Sequence, residues 1–419
     1  MAKTFSVISL GCFRNIYDSE VLSQKLLRQG YKFIPNYFEG NNLSKIDALV
    51  INTCGFIDKA KEESLAVIKE GVDLKKKGKV KKIIVFGCLV KRYKKQLQKS
   101  FPEGIHWQGL EEFSSDFQER MKISPRCIDF LKICEGCLNR CSFCSIPLIK
   151  GPLKSKSQEG IIKEANQLNK TGVKELNIIG QDITSWGKDL KPKAKLSDLL
   201  KKIVKESKDI GWIRLIYTHP KHLDDSLIDL VAKEKKICKY IDLPIQHIND
   251  RILKLMNRKV TKKEIMALIK KIRRNIPGVV LRTSVIVGFP TEGEKEFKEL
   301  LSFLKEAKFE RLGVFTYSRE EGTPAYGLSG QVHPSTKERR LREVMGQQQE
   351  IAKEVSARFI GEELDVLIED RQEGTYIGRS QYDAPEVDGE VFIKRAGLKV
   401  GQFYKTEIID SFGYDLIGQ

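Results

Sequence analysis

Apolar and polar positions alternate along this chain in three different rhythms. In the first ~120 residues, short β-branched runs at 4–9, 47–51 and 83–86 are separated by stretches with apolar residues at helical spacing. One such stretch starts near Asp18 and carries Val21, Leu22, Leu26 and Leu27 up to Gly30; another covers about 59–77, with Ala60, Leu65, Ile68 and Val72 on one side. Strand and helix in alternation predict a parallel βαβ domain. The alternation continues through strand candidates at 129–134, 175–179, 212–217, 240–243, 279–287 and 312–317. Six strands with crossover helices predict a partial (β/α)6 barrel, open on one side. A basic helix from about 335 to 359 reads as a linker. Beyond it, short strands at 364–368, 376–379, 389–393 and 404–409 with glycine turns predict a small all-β, OB-like barrel. The expected fold is therefore α/β and multidomain, divided at 1–122, 123–352 and 353–419.

Cysteines sit at telling places in this pattern. Cys12, Cys54 and Cys88 each follow the end of an N-terminal strand by a few residues, and each neighbours a glycine: Gly11, Gly55 and Gly87. In an open parallel sheet the carboxyl ends of the strands share one edge, where ligands bind. Three thiols distant in sequence are thus expected to converge, and the glycines admit tight turns and a close ligand.

A second group is compact: Cys137-Leu138-Asn139-Arg140-Cys141-Ser142-Phe143-Cys144. Three thiolates in eight residues suit one face of a cube-like iron–sulfur cluster. The two distant close pairs of a zinc ribbon are absent. Cys134 adds a Cys-x-x-Cys spacing and is an alternative ligand, but its place at the end of a strand assigns it to packing. Three protein ligands leave one iron open, and an open position is how a metal centre takes a substrate.

Composition narrows the class. Of 419 residues, 41% are hydrophobic and 31% charged, and no window of 18 residues is uninterruptedly apolar, so neither a membrane-spanning nor a disordered chain is expected. The N-terminus shows no secretory pattern, which makes the cytoplasm the expected compartment. Nine cysteines in such a chain point to metal or redox chemistry rather than disulfides. Lys and Arg exceed Asp and Glu by 74 to 56, a net charge of +18. Such a surplus fits a nucleic acid or ribonucleoprotein partner. The surplus reverses at the end: residues 360–419 hold 13 acidic and 6 basic residues, a net of −7, against +25 for the remainder. An acidic barrel is poorly suited to a phosphate backbone and well suited to a basic protein. Asp383, Glu386 and Asp388 lie in one turn-rich stretch and are expected to act together in such docking.

The Cys-x-x-x-Cys-x-x-Cys loop after a first strand, with Phe143 before its last cysteine, resembles the radical S-adenosylmethionine enzymes. Combined with three strand-end cysteines in a preceding domain, it resembles the methylthiotransferases over essentially the whole chain. The resemblance implies two 4Fe-4S clusters. Cys137, Cys141 and Cys144 would hold the one whose open iron chelates S-adenosyl-L-methionine; Cys12, Cys54 and Cys88 would hold the other. It also implies that the final barrel is a TRAM domain. Among the polar strand ends, Gln181, Arg214 and Gln246 are the expected cofactor contacts.

Two branches of that family modify different substrates. The segments Ser9-Leu10-Gly11-Cys12-Phe13-Arg14-Asn15, Phe315 to Thr323 and Asp383 to Gly389 resemble the ribosomal-protein branch. The transfer RNA branch typically has Arg-Pro-Gly where this chain has Glu320-Glu321-Gly322. Membership of the first branch implies methylthiolation of the β-carbon of an aspartate in small-subunit ribosomal protein S-twelve, free or on the ribosome. A deoxyadenosyl radical would take the hydrogen, and an electron donor and a sulfur source would be further partners. Modification of an adenosine in transfer RNA and a non-catalytic RNA-binding metal protein are the competing readings.

Overall fold

The computed structural model describes residues 3–35, 37, 45–101, 104–109, 117–123 and 127–419. The N-terminal sheet contains β1 (Thr4–Ser9), β2 (Lys32–Phe33), β3 (Ile46–Thr53), β4 (Val80–Gly87) and β5 (Ile105–Trp107). They pair in parallel in the order β2-β1-β3-β4-β5. The short edge strands β2 and β5 escape sequence reading because two or three residues carry no measurable period. Side chains of β3 alternate between two cores, as a period of two requires. Leu49 and Ile51 join Ile68 and Val72 of helix α2 (Asp58–Lys76), while Ala48 and Val50 join Leu22 and Leu26 of α1 (Phe13–Arg28). Helices on both faces explain why β3 is apolar almost throughout.

α1 begins directly after Cys12, earlier than the apolar spacing suggests, and a further helix, α3 (Cys88–Ser100), starts at Cys88 itself.

The central strands β6 (Ile128–Lys132), β9 (Glu175–Ile179), β10 (Trp212–Leu215), β11 (Tyr240–Asp242), β12 (Val280–Val287) and β13 (Arg311–Thr316) form two three-stranded parallel sheets. The first is ordered β10-β9-β6 and the second β11-β12-β13, and a bridge from Ile213 to Ile237 continues one toward the other. The result is the expected six-stranded partial barrel, with β6 and β13 as its edges. Its core is aliphatic, including Leu131, Leu176, Ile178, Ile213, Ile241, Leu281 and Val285. β6 stops at Lys132. Cys134 lies instead in β7 (Cys134–Glu135), a two-residue ladder with β8 (Lys154–Ser155).

The closing barrel has five strands: β14 (Glu363–Gln372), β15 (Thr375–Ser380), β16 (Val391–Ile393), β17 (Phe403–Phe412) and β18 (Asp415–Gly418). The sequence pattern misses β18, whose parallel pairing with β16 closes the barrel. The helix Pro334–Ala357 is more than a linker. Arg340 is buried and reaches Glu292 at 2.9 Å, and Gln348 donates to the Phe309 carbonyl at 2.9 Å.

Buried charge fastens the barrel to the core and overturns the docking role expected of the acidic turn. Asp383 is buried and accepts from Arg311 Nε at 2.7 Å. Asp388 accepts from Tyr240 Oη at 2.6 Å and pairs with Arg282 at 3.3 Å. Of the three acids only Glu386 is exposed. Sequence distance hid these partners, which lie 72, 148 and 106 residues away.

Candidate cysteine and cofactor site

The first triad is assembled by strand ends and helix starts. Cys12 occupies the N-cap of α1 with extended backbone, and Cys88 opens α3. Free N–H groups and the helix dipole favour a thiolate at such positions. Gly87 sits at φ +107°, and a Cβ there would lie 2.4 Å from both Asn52 Oδ1 and the Thr53 carbonyl, so only glycine fits. Cys54 is held by Ser64 Oγ, 3.0 Å from both its N–H and its carbonyl. Asn15 Nδ2 donates to the Leu10 carbonyl at 2.6 Å, and its Oδ1 lies 4.0 Å from Cys88 Sγ. Asn52 Nδ2 donates to the Asn15 carbonyl at 2.7 Å. The three thiols fall within one another's electrostatic reach.

Their acidities differ for identifiable reasons. Burial pushes Cys54 up, and Cys88 up to about 12. Burial acts the same way on Cys12, but the Arg14 guanidinium, with Nε 3.3 Å from Sγ, outweighs it and brings Cys12 below its ordinary value.

The second triad sits on the loop after β7. Gly136 (φ +71°) turns it, and a Cβ there would lie 2.0 Å from the Pro152 carbonyl oxygen. Cys137 Sγ accepts from the Asn139 backbone N–H at 3.4 Å, and Asn139 Nδ2 donates to Asp182 Oδ2 at 2.8 Å. Arg258 Nη1 donates to Cys141 Sγ at 3.4 Å. Ser142 ties the loop to the Met256 carbonyl at 3.0 Å and the Leu255 carbonyl at 2.7 Å. Burial lifts Cys137, and Cys144 to about 12. Cys134 is fully buried with Sγ 3.8 Å from the Asp182 carbonyl, and a Cβ on Gly180 would lie 2.6 Å from that sulfur. It is a packed residue beneath the loop.

Arg14 joins the first triad to the barrel mouth. Its charge acts on Cys12 and Cys54 of one and on Cys144 of the other. It donates to the Gly180 carbonyl at 3.4 Å, past the end of β9, and lies over the Tyr217 ring at 4.5 Å, past the end of β10. Asp18 of α1 adds buried pairs with Lys132 at 2.7 Å and Lys150 at 2.9 Å. Two groups more than 80 residues apart in part of their span thus face one barrel mouth.

The expected cofactor contacts separate. Gln181 follows β9, and its Oε1 is buried without a hydrogen-bond partner among the described residues. Gln246 follows β11 with φ +72°, its N–H donating to the Ser284 carbonyl at 2.9 Å. Tyr217 and Thr291, past β10 and β12, share that left-handed backbone, a strained geometry that collects at functional rims. Arg214 is elsewhere. It lies within β10, fully buried, with Nε 2.7 Å from Glu175 and Nη1 2.8 Å from the Gln381 carbonyl of the barrel. Arg379 binds the same Glu175 at 2.6 Å. Burial alone would raise Glu175; the two arginines hold it below the usual range. Arg214 therefore ties the two domains together. Its place inside the strand rather than past its end was the signal available in the sequence.

Sequence reading passed over Asn15, Asn139, Asp182 and Arg258, because isolated polar residues give no periodic signal. The donor set fits iron–sulfur chemistry: three soft thiolates in each triad, with N–H groups of Arg14, Asn139 and Arg258 on the sulfurs. Among the described residues no three acidic, His or Cys side chains close on a single ion. Besides Gln181 Oε1, His219 Nε2, Arg258 Nε and Tyr317 Oη are buried and unpartnered. Buried polar groups are ordinarily satisfied, so these suit a polar ligand. Burial also pushes His219 down to about 2, leaving a neutral ring.

Residues 131–304 match the radical SAM superfamily, 360–419 the TRAM domain and 4–109 the uncharacterized protein family UPF0004. The chain is similar to the ribosomal protein uS12 methylthiotransferase RimO of Desulforamulus reducens (41% identity, 99% of both chains). It is similar also to the same-named proteins of Clostridioides difficile (41%, covering 98% of this chain and 97% of the relative) and a Thermoanaerobacter species (42%, 100% of both). Among solved structures, the radical S-adenosylmethionine methyltransferase TsrM from Kitasatospora setae, with cobalamin and a [4Fe-4S] cluster bound, superposes with a TM-score of 0.55 at 14% identity. That match covers 78% of this chain and 77% of the other, and carries the fold alone. Full-length identity above 40%, on a chain with a cysteine loop at a partial-barrel mouth, places this protein in the radical S-adenosylmethionine methylthiotransferases of the RimO family.

Proposed function

We propose that this enzyme methylthiolates the β-carbon of an aspartate in ribosomal protein uS12. The observation that carries the reading is the approach of the two three-cysteine turns to one mouth: Arg14 bridges Cys12 Sγ at 3.3 Å and the Gly180 carbonyl at 3.4 Å, and Ser145, next to Cys144, donates to the Phe56 carbonyl, two residues past Cys54, at 3.4 Å. In this reading Cys137, Cys141 and Cys144 hold one 4Fe-4S cluster and Cys12, Cys54 and Cys88 a second. Gln181 and Gln246 contact S-adenosylmethionine. The functional division runs at 1–122, 123–352 and 353–419. An electron donor and a sulfur source are required partners, and the cytoplasm, where ribosomes are modified, is the site of action. Among the described residues no helix is long and apolar enough to cross a membrane.

When bound, the cluster and S-adenosylmethionine supply a carbon radical able to take hydrogen from an unactivated C–H bond, which no side-chain base can do. The chain's own residues bind and orient. Asn139 and Arg258 point N–H groups at Cys137 and Cys141, fixing the sulfurs and offsetting their negative charge. Asp182 fixes the Asn139 side chain, and His222 Nε2 lies 3.1 Å from Asn139 Oδ1. Gln181 Oε1 offers an unused acceptor to an ammonium group. Arg14, packed on Tyr217, donates to Cys12 Sγ at 3.3 Å and so offsets negative charge on that sulfur.

Anaerobic reconstitution should load about eight irons per chain, and replacing Cys137, Cys141 and Cys144 by Ala should leave about half. With uS12, S-adenosylmethionine, sulfide and a low-potential reductant, mass spectrometry should find one hydrogen of an aspartate replaced by a methylthio group. Replacing Cys12, Cys54 and Cys88 should abolish that product while cofactor cleavage continues. Modification of transfer RNA in place of uS12 would overturn the substrate assignment.

A further inference from the structure

One buried carboxylate in the central domain is not used by the chemistry above. Glu320 follows β13, the last strand of the partial barrel, and its side chain is 2% exposed. Its Oε2 lies 2.6 Å from Lys61 Nζ and 2.7 Å from Arg92 Nη1, and its Oε1 accepts from Ser318 Oγ at 2.7 Å. Both cations belong to the N-terminal domain. Lys61 is in the first turn of α2, seven residues after Cys54, and Arg92 is one turn into the helix that Cys88 opens.

Arg92 does more than pair. The same Nη1 donates to the Gly55 carbonyl at 2.9 Å, beside Cys54, while Nη2 donates to the Glu321 carbonyl at 3.0 Å. Gly55 itself is wedged: a Cβ there would lie 2.7 Å from Leu89 N. Displacement of Arg92 therefore moves the turns that carry both Cys54 and Cys88. Asp58 N–H and Ser318 Oγ, 3.4 Å apart, add a second strap at the same lip.

On the opposite edge, Asp18 pairs with Lys132 of β6 and Lys150. The N-terminal domain thus spans the open side of the partial barrel, fixed at β6 by one charge cluster and beyond β13 by the other. We propose that Glu320 is a positioning residue: by binding Lys61 and Arg92 together it sets where the Cys12, Cys54 and Cys88 group stands relative to the Cys137, Cys141 and Cys144 group. The inference rests on the division of labour between the two groups given above. A carboxylate shared by the buried Arg92 guanidinium and the half-buried Lys61 ammonium is directional as well as attractive, and such a pair is weak evidence of stability.

The test uses full-length, reconstituted enzyme and compares the parent with Glu320→Gln and Glu320→Asp. The Gln variant keeps size and the Ser318 contact but loses the charge. It should cleave S-adenosylmethionine at the parental rate while methylthio product per cleavage falls, on the order of a hundredfold for a displacement near 1 Å. Hydrogen exchange over 53–60 and 88–92 should quicken, with 175–215 unchanged. The Asp variant should recover part of the coupling. Lys61→Gln, which removes one arm from the other side, should show the same signature more weakly and decides the matter if Glu320→Gln does not fold. Parental coupling in Glu320→Gln, loss of cleavage together with transfer, or an Asp variant no better than Gln would each overturn the proposal. Failure of the parent itself to form methylthio product would instead count against the division of labour.

Discussion

Replacing Arg214 by Met separates a structural role from a cofactor-binding one. Arg214 and Glu175 are both fully buried, 2.7 Å apart, and Met retains much of the aliphatic volume. Leaving a buried carboxylate with a lost partner costs about 3–5 kcal/mol. Arg379 still holds the other oxygen at 2.6 Å, so the lower end applies, about 3 kcal/mol by the same rule. The Gln381 carbonyl also loses its donor, which adds about 1 kcal/mol. At 1.4 kcal/mol per tenfold, barrel docking should weaken by roughly three orders of magnitude. A chain of several domains does not unfold in two states, so the assay must report on this interface. Trp212 serves, since its ring meets Phe403 of β17 at 4.7 Å. Urea titration followed by tryptophan fluorescence should show an early transition in the variant, while S-adenosylmethionine binding below that transition stays parental. A variant with the parental urea profile and lost cofactor binding would refute the reasoning.

Two further outcomes follow from charge. In metal-free protein at about pH 8, iodoacetamide should label Cys12 ahead of Cys54 in peptide mapping, because Arg14 favours the Cys12 thiolate, and Arg14→Met should abolish the preference. Burial opposes ionisation of Asp18, but Lys132 and Lys150 bring it to about 2 from an ordinary 3.8. The folded value is the lower one, so its stabilisation, about 2 kcal/mol at 1.36 kcal/mol per pKa unit, is present above 3.8 and lost as pH falls toward 2. Acid titration monitored by hydrogen exchange should show the interface of α1 with β6 loosening in that window, and Asp18→Asn should remove the step.

Much of this protein is local and therefore legible in its sequence. The longer strands of the N-terminal sheet and the strands of the partial barrel announce themselves by β-branched runs, and helices by their apolar spacing, because burial on one face or two imposes a period. Cys137, Cys141 and Cys144 are eight residues of chain, so their convergence needs no tertiary information. Even Cys12, Cys54 and Cys88 could be brought together on topology alone, since parallel strands put their carboxyl ends on one edge.

What only the tertiary structure decided is the fate of charge. Asp383 and Asp388 looked like surface acids and are interior partners of Arg311, Arg282 and Tyr240; Arg214 looked like a cofactor ligand and is a tie between domains. Glu320 and Arg92 meet across 228 residues. A charged side chain in water and one buried in a pair have the same letter in the sequence. The difference is whether an opposite charge arrives from elsewhere in the chain to offset desolvation, and no periodicity records that arrival.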